Sequence, residues 1–217
     1  MTDDFEYRVV RSRKRFEGGI FSVYSDEVAM PGGGTAVRDI THHHGAVAVV
    51  ALDQRSRVVL IRQYRHAVGT YLWEIPAGLC DVTGESGVDT AARELAEEVD
   101  LVASRWHLLL DLYSSPGFSD ELIRVYLARG LTRIPAPGRH DRGEEEADLT
   151  VAWVDLDEAV AMVQRGEITN AISVSGLLAA ARARGERWRP LRPAAASIVD
   201  VTPAVGAPVR PVAGRRR

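Results

Sequence analysis

The stretch that decides the fold is residues 78–101, GLCDVTGESGVDTAARELAEEVDL. Its second half carries apolar residues at the spacing of an amphipathic helix, with acids packed between them. On that helix Glu94 and Glu98 lie four residues apart on one face, and Glu97 lies one step away. Three carboxylates so close repel one another unless cations neutralise them, and such oxygen ligands suit Mg²⁺ or Mn²⁺. Arg93 stands four residues before Glu97 and can pair with it.

The order of residues in this stretch resembles the Nudix box, G-x5-E-x7-R-E-U-x-E-E-x-G-U, where U is aliphatic. The matching positions are Gly78, Glu85, Arg93, Glu94, Leu95, Glu97, Glu98 and Leu101. Two features depart from the pattern: six residues separate the box glycine from Glu85, and Asp100 replaces the last glycine. The extra residue lies in the loop and leaves the helical spacing of the acids unchanged. Asp100 falls at the helix end, where a left-handed residue is often required, and aspartate tolerates that conformation better than most residues do.

The resemblance implies a role for each residue of the box. Glu94 and Glu98 are expected to bind metal together with the backbone carbonyl of Ala77. Glu97 and Arg93 are expected to be catalytic residues, with Glu97 as a further ligand or as the anchor of Arg93. Glu85 is expected to support the site from the loop. The fold implied for residues 43–188 is an α/β/α sandwich around a mixed sheet, of the α+β or α/β class.

The segments on either side of residues 43–188 have a different character. Residues 1–42 are rich in β-formers, with a turn at residues 18–19 and a loop at 31–34, and they are too short to bury a core alone. They resemble the small N-terminal segment that mediates dimerisation in Nudix enzymes of the ADP-ribose pyrophosphatase kind, so a homodimer is expected. Residues 189–217 are rich in proline and alanine and are expected to be largely disordered.

Within residues 43–188 the pattern of apolar and polar residues predicts further strands and helices. Residues 46–52 and 58–61 are apolar runs separated by a polar turn, which indicates a buried hairpin. Strands are predicted at 106–113, 121–128 and 149–155, and helices near 156–165 and 173–184.

Two segments outside the box bear on the substrate. A Q-Y-R run ends at Arg65, and it resembles a segment of ADP-ribose pyrophosphatases whose arginine contacts substrate; a planar guanidinium suits phosphate oxygens. Residues 115–121, SPGFSDE, resemble a segment that follows the box in the same subfamily, from which Ser119 and Glu121 are expected to reach the ligand. A solvated strand end and a plain β-turn are the structural alternatives.

A long polar loop at residues 135–148 contains the acidic run Glu144, Glu145 and Glu146. Loops of this length inside compact domains are often functional. The resemblance implies that one loop glutamate binds metal or acts as general base, and Glu146 is the first choice, with Glu145 the second.

These expectations combine into one reaction. Metal ions held by Ala77, Glu94 and Glu98 activate water and neutralise a diphosphate, Arg65 holds the diphosphate in line, and Glu146 takes the proton of the water. The favoured substrate is ADP-ribose, cut to AMP and ribose 5-phosphate. The alternatives are another nucleotide sugar, an oxidised nucleoside triphosphate, or, more remotely, a regulator that binds ADP-ribose without cutting it.

Composition excludes several other classes. The 217-residue chain has a net charge of −3, which argues against broad attraction to nucleic acid. No apolar run approaches the roughly 20 residues of a membrane span, and the acidic N-terminus lacks a secretory h-region. Cys80 is the single cysteine, which fits a reducing cytoplasm. It is expected to pack rather than react. Trp73 is expected to be core, and residues 42–44 (HHH) are expected to form a cationic or hydrogen-bonding strand end rather than a metal site.

Overall fold

The computed structural model describes residues 7–140, 143, 148–189 and 191–197. These residues divide into two compact units. The first contains the described N-terminal residues up to Gly45, the segment Tyr113–Leu122 and Ser197; the second contains Ala46–Leu112 and the described part of Ile123–Ala196. No helix within the described ranges is long and apolar enough to cross a membrane.

The first unit is built on a three-stranded antiparallel sheet in the order β1-β2-β3. Its strands are β1 (Val9–Glu17), β2 (Phe21–Ala29) and β3 (Thr35–His43). The β-rich N-terminal segment predicted from the sequence is therefore present, and it includes β3 (TAVRDITHH), for which no separate strand was predicted.

The segment Tyr113–Leu122 belongs to the first unit because it pairs with the end of β3. The Thr41 amide donates to the Phe118 carbonyl at 2.7 Å, and the Asp120 amide donates to the Thr41 carbonyl at 3.2 Å. This pairing joins residues that are far apart in sequence.

The described part of the second unit contains two sheets and three α-helices. A five-stranded sheet has the order β11-β8-β9-β4-β7, and a three-stranded sheet has the order β10-β5-β6. The strands are β4 (Ala46–Ala51), β5 (Arg57–Arg65), β6 (Thr70–Glu74), β7 (Ala77–Leu79), β8 (Leu101–Tyr113), β9 (Leu122–Arg133), β10 (Thr150–Asp155) and β11 (Arg192–Pro193). The helices are α1 (Gly87–Val99), α2 (Leu156–Gln164) and α3 (Ala171–Gly185).

The predicted hairpin at residues 46–61 is wrong in its topology. An isolated bridge pairs Leu52, just after β4, with Val58, and the two strands then belong to different sheets. Strand β4 pairs in parallel with β9 and antiparallel with β7, which makes the larger sheet mixed. Both faces of β4 and β5 are covered, so their apolar runs carry no information about which strand each one pairs with.

Strand β4 divides the core into two layers by its alternation. Ala48 and Val50 belong to an apolar cluster that includes residues of α2 and α3, whereas Val47 and Val49 belong to a second cluster that includes Leu95 of α1. Successive side chains of a strand point to opposite faces, so helices cover both sides of the sheet. The predicted α/β/α sandwich is confirmed.

The described chain continues past the predicted boundary at residue 188. Strand β11 pairs with β8, with Arg192 opposite Leu108, and the Arg124 guanidinium donates to the Ala196 carbonyl at 2.7 Å. Part of the segment predicted to be disordered is therefore an edge strand, and residues 198–217 lie outside the described residues.

Candidate functional site

Helix α1 places the carboxylates, and its ends explain why it forms where it does. Ser86 caps the N-terminus by accepting a hydrogen bond from the Asp89 amide. Asp100 ends the helix in the left-handed conformation, with φ 55° and ψ 38°. The aspartate thus fulfils the role of the glycine it replaces, and the helical spacing of the acids is retained as predicted.

Arg93 is the centre of an ion-pair network at the site. Its guanidinium donates to Glu85 Oε1 and Oε2 at 3.3 and 3.2 Å, to Glu94 Oε1 at 2.7 Å and to Glu97 Oε2 at 3.0 Å. The predicted pairing of Arg93 with Glu97 is therefore present. Burial alone would lower the pKa of Arg93, but the hydrogen bond to Glu85 and the charge of Glu94 offset it and raise the pKa. The bond from Arg93 lowers the pKa of Glu85.

Glu98 and Gly78 lie where α1 meets β7. Glu98 is buried, and its Oε2 accepts a hydrogen bond from the Ala77 amide at 3.0 Å. A Cβ on Gly78 would lie 1.9 Å from Glu94 Cδ, so only glycine permits the Glu94 carboxylate to rest against the strand. The helix carboxylates and the strand backbone thus converge on one place.

The register of β7 orients the Ala77 carbonyl toward the same side. The Val49 amide donates to the Pro76 carbonyl at 2.8 Å, and Val47 lies opposite Gly78. Hydrogen-bonded pairs alternate along an antiparallel ladder, so the intervening Ala77 directs its backbone groups away from β4. Strand β7 is the edge of its sheet. The Ala77 amide already donates to Glu98 on that open edge, and the Ala77 carbonyl faces the same edge.

These groups fit a hard divalent cation. Two carboxylates one helical turn apart and one backbone carbonyl are oxygen donors of the kind that Mg²⁺ and Mn²⁺ prefer. In the part of the chain that the structure describes, no three His, Cys, Asp or Glu side chains are grouped to hold a metal. The donor set beside Gly78 has two carboxylates and takes its third oxygen from the backbone.

Arg65 lies at the end of β5 and is held by a buried acid. Its Nε and Nη2 donate to Glu74 Oε1 and Oε2 at 3.0 and 2.6 Å, and Gln63 Nε2 donates to Glu74 Oε2 at 3.2 Å. Glu74 is 2% exposed, whereas the Arg65 side chain is 42% exposed. The buried partner fixes one side of the guanidinium. Sequence reasoning missed Glu74, although an acid inside the apolar run LWEI was the available signal.

Ser119 and Glu121 lie in the first unit, in a polar cluster with residues of β3. The Glu121 amide donates to Ser119 Oγ at 3.2 Å, and Glu121 Oε1 lies 3.6 Å from His43 Nδ1. Asp120 pairs with His42 Nδ1 and accepts from the His43 amide at 2.9 Å. His42 and His43 thus lie at a hydrogen-bonding strand end, as predicted.

The remaining residues singled out from the sequence are the acidic run at 144–146, Cys80 and Trp73. Glu144, Glu145 and Glu146 lie outside the described residues. Cys80 packs against the α1-side cluster, and burial, followed by the charge of Glu85, raises the pKa of its thiol, so it is not an activated thiolate. Trp73 packs against the other core cluster, as expected.

Comparison with known proteins identifies the family. Residues 42–173 match the NUDIX domain. The chain is 48% identical over 176 residues to the ADP-ribose pyrophosphatase of Mycobacterium tuberculosis, across 81% of this chain and 84% of that protein. It is 34% identical over 170 residues to the methanol dehydrogenase activator of Bacillus methanolicus, across 78% of this chain and 90% of that protein.

A solved structure shares the fold. The crystal structure of an ADP compounds hydrolase superposes with a TM-score of 0.72 at 22% identity, covering 84% of this chain and 96% of that one. The match to the NUDIX domain and the 48% identical relative show that the chain is a hydrolase of the Nudix family.

Proposed function

We propose that the protein hydrolyses the pyrophosphate bond of a nucleoside-diphosphate sugar, with ADP-ribose cut to AMP and ribose 5-phosphate, and that Mg²⁺ is its metal. The observation that carries the proposal is the convergence of Glu94, Glu98 and the Ala77 backbone at Gly78. The relative that is 48% identical is an ADP-ribose pyrophosphatase, which favours this substrate. Mn²⁺ is the expected substitute.

The proposed metal ligands are Glu94, Glu98 and the Ala77 carbonyl. Bound there, the metal supplies positive charge against the diphosphate and acidifies water. Arg93 keeps Glu85 and Glu97 at fixed distances and offsets the repulsion among the acids of α1. We assign Arg93 and Glu97 to this network rather than to direct proton transfer.

Arg65 is the proposed contact to the diphosphate, and Ser119 and Glu121 are proposed to bind the rest of the substrate. The two-point bond with Glu74 restricts how the Arg65 guanidinium can turn, so less entropy is lost when it meets phosphate oxygens. Glu121 is itself oriented, because Ser114 Oγ donates to its carboxylate.

Glu146 is the proposed general base. The helix carboxylates are already engaged, either with Arg93 or with the Ala77 amide, which makes them poor acceptors for the proton of water. The proposal for Glu146 rests on its place in the acidic run before Asp148.

Three organisational proposals accompany the reaction. Residues 1–42 form a dimerisation segment ahead of the catalytic domain, residues 43–188, with residues 189–217 as an appendage. Exposed Phe16, Ile20 and Phe21 give the N-terminal sheet an apolar surface that a second copy can cover. The enzyme acts in the cytoplasm, where Cys80 stays a thiol.

The test is a kcat/KM comparison with and without Mg²⁺ across ADP-ribose, other nucleotide sugars and oxidised nucleoside triphosphates, with products identified by mass spectrometry. The expected result is Mg²⁺-dependent release of AMP and ribose 5-phosphate, with ADP-ribose the best substrate. A preference for another nucleotide would overturn the substrate, and binding of ADP-ribose without cleavage would indicate a regulator instead.

A further inference from the structure

A cluster of basic side chains lies on the second unit at residues that the hydrolytic site does not use. It consists of Arg105 and His107 on β8 and Arg129 on β9, with Trp188 following α3. The Ile134 amide donates to the Asp100 carbonyl at 2.8 Å, and Ser104 Oγ contacts the Gly130 carbonyl at 3.3 Å. This register sets two arginines, 105 and 129, directly opposite each other.

Like charges opposite each other on neighbouring strands destabilise a sheet. In the described residues no acid forms an ion pair with Arg105, Arg129 or His107. Burial and then the charge of Arg105 lower the pKa of Arg129. Burial and then the charges of Arg129 and Arg105 lower the pKa of His107. The cluster therefore holds concentrated positive charge without a counter-charge from the described chain.

Two nitrogens of the cluster are buried and have no hydrogen-bond partner: Arg129 Nε and His107 Nδ1. A buried polar nitrogen that is left unpaired is costly, and such groups are rare in folded proteins. Both nitrogens belong to residues that face the same side of the sheet as Arg105, because His107 lies two residues along β8 and Arg129 lies across from Arg105.

The chain also adopts an unfavourable backbone path beside the cluster. Arg187 and Trp188 both have positive φ, 56° and 62°, which is uncommon for residues other than glycine. This path brings the Trp188 ring to 4.6 Å from the Arg129 guanidinium carbon. The stacking holds one face of the guanidinium and leaves its donor edge to be satisfied by another group.

We propose that Arg105, His107 and Arg129 form an accessory binding site for a small phosphate dianion. Guanidinium groups bind phosphate oxygens through paired hydrogen bonds, and a dianion offsets the repulsion between the two arginines. The source is either inorganic phosphate or the phosphate group of a small monoester. The site stands on this cluster alone and does not depend on the reaction proposed above.

The test is titration calorimetry of the full chain with potassium phosphate at constant ionic strength, repeated with AMP and ribose 5-phosphate. The variants are Arg105→Gln and Arg129→Gln, and the control is Arg182→Gln, an exposed arginine of α3 that removes the same charge. Arg65→Gln is a second control, for anion binding at the hydrolytic site. We expect saturable binding in wild type and in both controls, weakened at least about tenfold in the two cluster variants.

Arg105 is exposed, so its variant tests the site even if Arg129→Gln fails to fold. The source is read from the binding that Arg105→Gln weakens and Arg65→Gln leaves intact, because AMP and ribose 5-phosphate are also products of the proposed reaction. Within that binding, a tighter monoester than inorganic phosphate would identify an organic phosphate, and the reverse order would identify free phosphate. The proposal is overturned if wild type shows no saturable binding, if Arg105→Gln binds as wild type does, or if Arg65→Gln abolishes the signal.

Discussion

Gly78→Ala is predicted to disable the enzyme without unfolding it. The added Cβ would lie 1.9 Å from Glu94 Cδ and 2.1 Å from its Oε1. The Glu94 carboxylate must therefore retreat by roughly 1.5 Å to regain an ordinary van der Waals separation. A misplacement of about 1 Å at a reacting centre costs about 10²-fold in rate. We expect kcat to fall by about 10²-fold, measured by steady-state hydrolysis of ADP-ribose at saturating Mg²⁺.

The stability of Gly78→Ala shows whether a loss of activity comes from displacement of the Glu94 carboxylate or from unfolding. Glu94 is a flexible side chain and Gly78 does not have positive φ, so the free energy of unfolding should change by less than about 1 kcal/mol. Gly185→Ala is the matched control, since a Cβ at that position meets nothing within 4 Å. Wild-type kcat in Gly78→Ala, or a loss of activity that follows a large fall in Tm, would refute the reasoning.

Three further predictions concern the proposed substrate side, base and dimer. Arg65→Lys should raise KM about tenfold with a smaller change in kcat, because lysine cannot reproduce the two-point bond to Glu74. An unchanged KM would show that Arg65 does not contact the substrate. Glu146→Gln should lower kcat by about 10²-fold with little change in KM, and equal small effects at its two acidic neighbours and at Glu146 would mean a solvated loop. Deleting residues 1–42 should yield a monomer by light scattering, and an active dimer would contradict this.

The helix at the centre of the site was predictable because its determinants are local. The spacing of the acids, the pairing of Arg93 with Glu97 and the left-handed Asp100 all follow from residues within one helix or one turn of it. Apolar alternation and turn residues likewise indicated most of the longer strands, since those signals span only a few residues.

Features that depend on pairing between distant segments were not predictable from one sequence. The separation of β4 and β5 into two sheets, the short strand β7 and the pairing of β11 with β8 are set by register between segments remote in sequence. The buried partner of Arg65 is nine residues away on a neighbouring strand. Glu98 and the Ala77 amide meet only when α1 packs on β7, so their hydrogen bond leaves no signal in the sequence.

The most direct measurement is the Mg²⁺ dependence of ADP-ribose hydrolysis by wild type and Glu98→Gln. Glutamine keeps an oxygen that can accept the Ala77 hydrogen bond, so the fold should persist while the charge at the proposed metal ligand is lost. The account predicts saturable Mg²⁺ activation in wild type and a kcat at least about 10²-fold lower in the variant at every Mg²⁺ concentration. Near wild-type kcat in Glu98→Gln at saturating Mg²⁺ would contradict the assignment of the metal site.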